Sequence, residues 1–139
     1  MKKLLILASF FLVTACAVSP GSVKVSLEAA EFKYNPAALE VSAGQPVELT
    51  FNNVGALEHD FTIQEIPLEG EVSASGGMDM PSHEMGGMTT APHLHIAAAA
   101  GQTSTLKFTP TKPGEYEFSC SVPGHKEAGM IGKLVVRLP

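Results

Sequence analysis

Gly114-Glu115-Tyr116-Glu117-Phe118-Ser119-Cys120-Ser121-Val122-Pro123-Gly124-His125-Lys126-Glu127-Ala128-Gly129-Met130 opens as a strand and closes as a loop rich in metal-binding side chains. Tyr116, Phe118 and Cys120 alternate with Glu115, Glu117 and Ser119, so on a β-strand the two aromatics and the thiol share one face. That face is apolar, which aims Cys120 inward at the strand's end. Pro123-Gly124 then tightens a turn, Gly129 permits close approach, and the next strand leaves at Ile131.

The same alternation recurs through the chain. Val23, Val25 and Leu27 alternate with polar neighbours, as do Val47, Leu49 and Phe51, then Leu106 and Phe108, and finally Leu134, Val136 and Leu138. Asn35-Pro36, Ala43-Gly44, Asn52-Asn53, Pro110 and Lys112-Pro113-Gly114 separate these runs, and no segment sustains helical spacing. Half-buried strands at this spacing predict an all-β protein, an antiparallel β-sandwich. Residues 23–139 form its single domain.

Upstream, His59, Phe61 and Ile63 share the inward face of another strand, with His59 at its beginning. Two inward ligands at the ends of neighbouring strands can converge at one pole of a sandwich, and the loop after Cys120 brings His125 and Met130 over them. A thiolate, two imidazoles and a thioether suit copper, which cycles between a softer cuprous and a harder cupric state. Two histidines and a cysteine with a weak axial methionine describe a type 1 copper site, one copper per chain. Read singly, each residue has a plainer explanation as a core histidine, an inert thiol or packing methionine. Their order and spacing together favour the metal.

The ends and the composition bound the setting. Lys2 and Lys3 precede an apolar run, Leu4 to Val13, too short to span a bilayer, so residues 1–15 are read as a signal peptide and 16–22 as a tether. Leu12-Val13-Thr14-Ala15-Cys16 resembles the lipobox of bacterial lipoproteins. The resemblance implies cleavage before Cys16 and its lipidation, hence an exported protein anchored by acyl chains to the cell-envelope membrane and facing the periplasm or cell exterior. The rival reading is an ordinary signal peptide with Cys16 a bystander. With two cysteines in the chain, a lipidated Cys16 leaves Cys120 unpaired in an oxidising compartment, where a metal gives it a reason to persist. The formal net charge of −5 and the scattered basic residues leave no patch for nucleic acid.

Residues 68–92 break the alternation. Rich in Gly, Ser, Thr, Pro and Met, they read as a long surface insertion. Met78, Met80, Met85 and Met88 stand there with His83, and thioethers are soft ligands that prefer Cu(I). Copper contact and a passive low-complexity loop are both open. His93 and His95 share one face of the following strand, opposite Leu94 and Ile96. They form either a polar outer face or helpers to the methionines.

Cys-Ser-Val-Pro-Gly-His resembles the ligand loop of the azurin branch of the cupredoxins, and Cys-x4-His-x4-Met the spacing in rusticyanin-like members. Asn52-Asn53-Val54-Gly55 resembles the segment before the first ligand in plastocyanins. The resemblance implies a Greek-key cupredoxin fold with His59, Cys120 and His125 as strong ligands and Met130 as the weak axial one. It also implies an exposed His125 edge as electron port, rimmed by Val54, Ala56, Leu57, Pro123 and Ala128. Asp60 departs from the family, where an Asn after the first histidine braces the ligand loop; Asp accepts hydrogen bonds but cannot donate amide ones, which puts the brace in doubt. The expected function is a monomeric, membrane-tethered carrier of single electrons between redox proteins and not an enzyme. The alternative is copper trafficking or storage through the methionine-rich stretch.

Overall fold

A computed structural model describes residues 21–76 and 91–139. Among the described residues ten strands form two five-stranded sheets: β1 (Val23–Ala30), β2 (Lys33–Asn35), β3 (Ala38–Ser42), β4 (Val47–Asn53), β5 (His59–Ile63), β6 (Leu68–Ser75), β7 (Leu94–Ala98), β8 (Thr103–Pro110), β9 (Gly114–Ser119) and β10 (Ile131–Arg137). The first sheet has the order β2-β1-β4-β8-β6 and the second β3-β10-β9-β5-β7. Among the described residues no helix is long and apolar enough to cross a membrane.

The all-β sandwich agrees with the alternation, but its sheets are mixed rather than purely antiparallel. β1 pairs with β4 in parallel, and so does β10 with β3. The chain crosses to the second sheet for β3 and returns for β4, which therefore runs alongside β1. Alternation reports which face a side chain takes and is blind to the direction of the neighbouring strand.

The first residues of the insertion expected over 68–92 are a strand instead. Leu68–Ser75 form β6, an edge strand paired antiparallel with β8, with a register shift between Glu69 and Ser73. Gly70, at φ 70°, lies within that irregularity, as expected for a bulge. Almost every residue of β6 is exposed; with no face buried, no period-two signal is written into it. The methionines at 78, 80, 85 and 88, with His83 and Cys16, lie outside the described residues.

Phe51, Phe61, Phe118, Leu49, Leu106 and Leu134 fill the space between the sheets. Phe118 packs at a tilt against Phe61, centroids 4.9 Å apart, and meets Tyr34 edge-on at 5.0 Å. Gly132 on β10 makes room for that ring. A Cβ there would collide with the Phe118 ring at Cζ and lie 2.9 Å from the Ala37 carbonyl oxygen. Neither the buried ring nor the backbone can yield cheaply. Gly132→Ala is therefore expected to destabilise the copper-free domain by about 1–3 kcal/mol, read as a lower denaturation midpoint with unchanged slope.

Candidate metal centre

Cys120 follows β9 directly and His59 opens β5, and these strands are neighbours through the pairing of Thr62 with Ser119. Both side chains are fully buried. Backbone bonds fold the loop between β9 and β10 onto them. Cys120 N–H donates to Met130 O at 3.2 Å, Met130 N–H to His125 O at 3.0 Å, and His125 N–H to Val122 O at 3.0 Å. Gly124 and Gly129 take φ 85° and 98° at its corners, where a β-carbon would be strained.

The loop delivers His125 to the other two residues. Cys120 Sγ lies 3.4 Å from His125 Nδ1 and 4.0 Å from His59 Nδ1. The three donor atoms all fall within 4.8 Å of one another. Met130 is wholly buried and is tied by its backbone to both Cys120 and His125.

The electrostatics fit a cation. Burial pushes the Cys120 thiol up to about 11, and the nearby Asp60 carboxylate adds to the rise; the backbone N–H groups of Asp60 and Val122 oppose it. Burial and then the neighbouring His125 hold the His59 imidazole below its usual value. A buried neutral imidazole is a ligand, and a thiol this reluctant to ionise needs a metal to take the proton's place. His59 turns its Nδ1 toward Cys120 Sγ, the ring nitrogen through which it would hold a metal, while its other ring nitrogen, Nε2, is buried without a hydrogen-bond partner among the described residues.

The brace placed in doubt by Asp60 is present in another form. Its carboxylate accepts the Ser121 backbone N–H at 2.8 Å and the Ser121 hydroxyl at 2.6 Å. It also accepts the Thr62 hydroxyl at 3.0 Å. Every partner is a donor, so an acceptor-only side chain suffices. Burial raises the Asp60 carboxyl, yet the nearby His95 imidazole and the hydrogen bonds from Ser121 overcome this and leave it below its ordinary value. His95 Nε2 stands 3.9 Å from Asp60 Oδ2.

His95 projects outward while Leu94 and Ile96 are buried, an orientation common to the polar-face and the methionine-helper readings. His93 Nδ1 lies 3.0 Å from Ile66 N and 2.9 Å from Ile66 O, which ties the imidazole to that backbone. Two features escaped the sequence reading. Asn53 Nδ2 donates to Leu57 O at 2.7 Å and Ala98 O at 2.8 Å, while its Oδ1 accepts Gly55 N–H. The last bond is an Asx turn, whose sequence signal is an Asn two residues before Gly. Phe32 lies edge-on to His125, a contact between segments far apart in the chain. His125 itself is only 6% exposed, less than the open edge the resemblance implies. Val54 and Leu57 are exposed as the expected rim requires.

A β-sandwich with a buried cysteine and two histidines converging at one pole defines a cupredoxin. The sequence profile of copper binding proteins of the plastocyanin/azurin family matches residues 21–137, and the chain belongs to that family. It is 32% identical over 108 residues to the copper-resistant cuproprotein CopI of Rubrivivax gelatinosus, covering 76% of this chain and 60% of that protein. It is 34% identical over 128 residues to rusticyanin of Acidithiobacillus ferrooxidans, covering 90% and 62% respectively. The chain thus spans less than two thirds of the length of either. Auracyanin A, a "blue" copper protein from Chloroflexus aurantiacus, shares the fold with a TM-score of 0.60 at 23% identity, covering 84% of this chain and all of the other. One copper per chain is the cofactor.

The thiol chemistry makes a countable prediction. At pH 8 the copper-free Cys120 keeps its proton, since pH lies below its raised value, while His59 is already neutral because its own value is lowered. Loading with Cu(II) at pH 8 is therefore expected to release about one proton per copper from Cys120. Calorimetry in buffers of different ionisation enthalpy counts it, and Cys120→Ser should abolish that release.

Proposed function

We propose that this protein carries single electrons between redox partners, with copper held by His59, Cys120 and His125 and weakly by Met130. Bound copper supplies the one-electron Cu(II)/Cu(I) couple. The chain's residues supply the rest. Cys120 serves as a thiolate, two neutral imidazoles complete the strong ligands, and the Asp60–Ser121 bonds hold the loop against β5. The observation that carries this reading is the closure of the site. The cysteine and both histidines are buried with their donor atoms within 4.8 Å of one another, which leaves little space for a substrate. Such a site suits electron transfer better than bond-making chemistry, so we read the protein as a carrier and not an enzyme. A rigid sandwich around the ligands keeps reorganisation small when the charge changes.

We further place it outside the cytoplasm as a monomer anchored to the envelope membrane through lipidated Cys16, with protein redox partners and no nucleic acid. The leader and lipobox-like stretch support this. A second reading, copper trafficking or storage, is supported by the likeness to copper-resistant cuproproteins and by Met78, Met80, Met85, Met88 and His83. Metal stoichiometry separates the two: one tightly held copper favours the carrier, and additional weaker Cu(I) equivalents favour trafficking.

The copper-loaded oxidised protein is expected to be intensely coloured by thiolate-to-copper charge transfer, and Cys120→Ser to bleach it. A colourless wild-type Cu(II) protein would remove the type 1 assignment. Met130→Gln should retain copper with a lower reduction potential, because a harder oxygen ligand favours Cu(II), whereas His59→Ala should lose the coloured site.

For the anchor, Cys16→Ala should move the protein from the detergent-extracted membrane fraction to the soluble one with its colour unchanged. Equal membrane retention of this variant would defeat the lipid-anchor proposal.

A further inference from the structure

The β1–β2 connection is a two-residue turn, Glu31-Phe32, closed by the pairing of Ala30 with Lys33. Phe32 takes φ 57°, a left-handed conformation that a bulky side chain rarely adopts and that a hairpin ordinarily gives to Gly, Asn or Asp. Burial does not account for the choice of phenylalanine, because the residue is 45% exposed. Its ring is nevertheless aimed. It meets the His125 imidazole with centroids 5.2 Å apart and planes at 83°, the edge-to-face arrangement favoured by aromatic quadrupoles.

The other turn residue reaches the approach to the other histidine. Glu31 Oε1 accepts the Ala56 N–H at 2.6 Å, fixing the segment that leads into His59. It does so across Gly55, where a Cβ would lie 2.8 Å from Glu31 Oε1 and 3.1 Å from His59 Nε2. The turn belongs to the first sheet, whereas His59 and the loop carrying His125 belong to the second. Strain retained at a turn marks a position that the surroundings hold for a purpose.

We propose that the Glu31-Phe32 turn is a clasp that reaches across the sandwich and holds the two histidines in their metal-binding positions, with Phe32 the positioning residue for His125. Phe32 does not touch the metal; its ring restricts the imidazole and so slows the first step by which copper leaves. The proposal rests on the copper site alone and is indifferent to which partners exchange electrons with it.

The test uses the full chain and follows transfer of Cu(II) to excess chelator by the metal recovered. Phe32→Gly removes the ring and accepts the left-handed φ, and Phe32→Leu removes the ring while keeping an apolar side chain. Phe32→Tyr keeps the ring. Loss of an aromatic pair is expected to speed release about two- to tenfold in the first two variants, with Phe32→Tyr at the wild-type rate. In the copper-free protein, the His125 χ1 couplings should report one rotamer in wild type and averaging in Phe32→Gly. Release at the wild-type rate from both Phe32→Gly and Phe32→Leu would overturn the proposal. So would a faster rate that merely follows a lower thermal midpoint of the copper-free protein, which marks Phe32 as packing. A wild-type chain that binds no copper would fail at the site itself, before any variant is compared.

Discussion

The Asp60 carboxylate receives two hydrogen bonds from Ser121, a residue 61 positions away, and these join the start of β5 to the loop that follows Cys120. His59 precedes one end of that bridge and Cys120 the other, so their separation is set by the bridge as well as by strand pairing. The carboxylate is buried, and leaving it without its donors would cost far more than the bonds contribute. This geometry therefore resists drift. The loop's own turns, and through them His125 and Met130, are built outward from the same anchor.

That anchor brings a negative charge close to a thiol already disfavoured as thiolate by burial. Burial and that charge hold the Cys120 thiol protonated beside two histidine rings 5.0 Å apart. A cation resolves the thiol and supplies a partner for the Nδ1 atoms that face it. The fold gathers these donors in one buried place, and the close-packed sandwich is stiff enough to hold them there. Phe51, Phe61 and Phe118 provide the stiffness, with Gly132 admitting Phe118 where a larger residue would force it aside.

The outer parts of the site follow another logic. Asn53 and Glu31 each secure backbone N–H groups or carbonyls in the 54–58 segment before His59, so a loop with few apolar contacts is still held by directed bonds. Val54 and Leu57 are left exposed on that loop. Phe32, also exposed, lies edge-on against His125.

Strands with one buried face announce themselves by alternation, and so the faces of β4, β8, β9 and β10 were legible from residue order alone. The inward aim of Cys120 and His59 came from the same rule, and the ligand loop from its spacing of Cys, His and Met. β6 was not legible, because Leu68–Ser75 bury no face and write no period, and strand direction was not, because a parallel and an antiparallel neighbour bury the same residues. Residue order by itself determined which side chains could bind copper and which way two of them point. Only the tertiary structure decided that Asp60 finds donors instead of losing an amide, and that Phe32 reaches His125 from the opposite sheet. Those contacts join segments remote in the chain, and local pattern carries no information about who meets whom across a core.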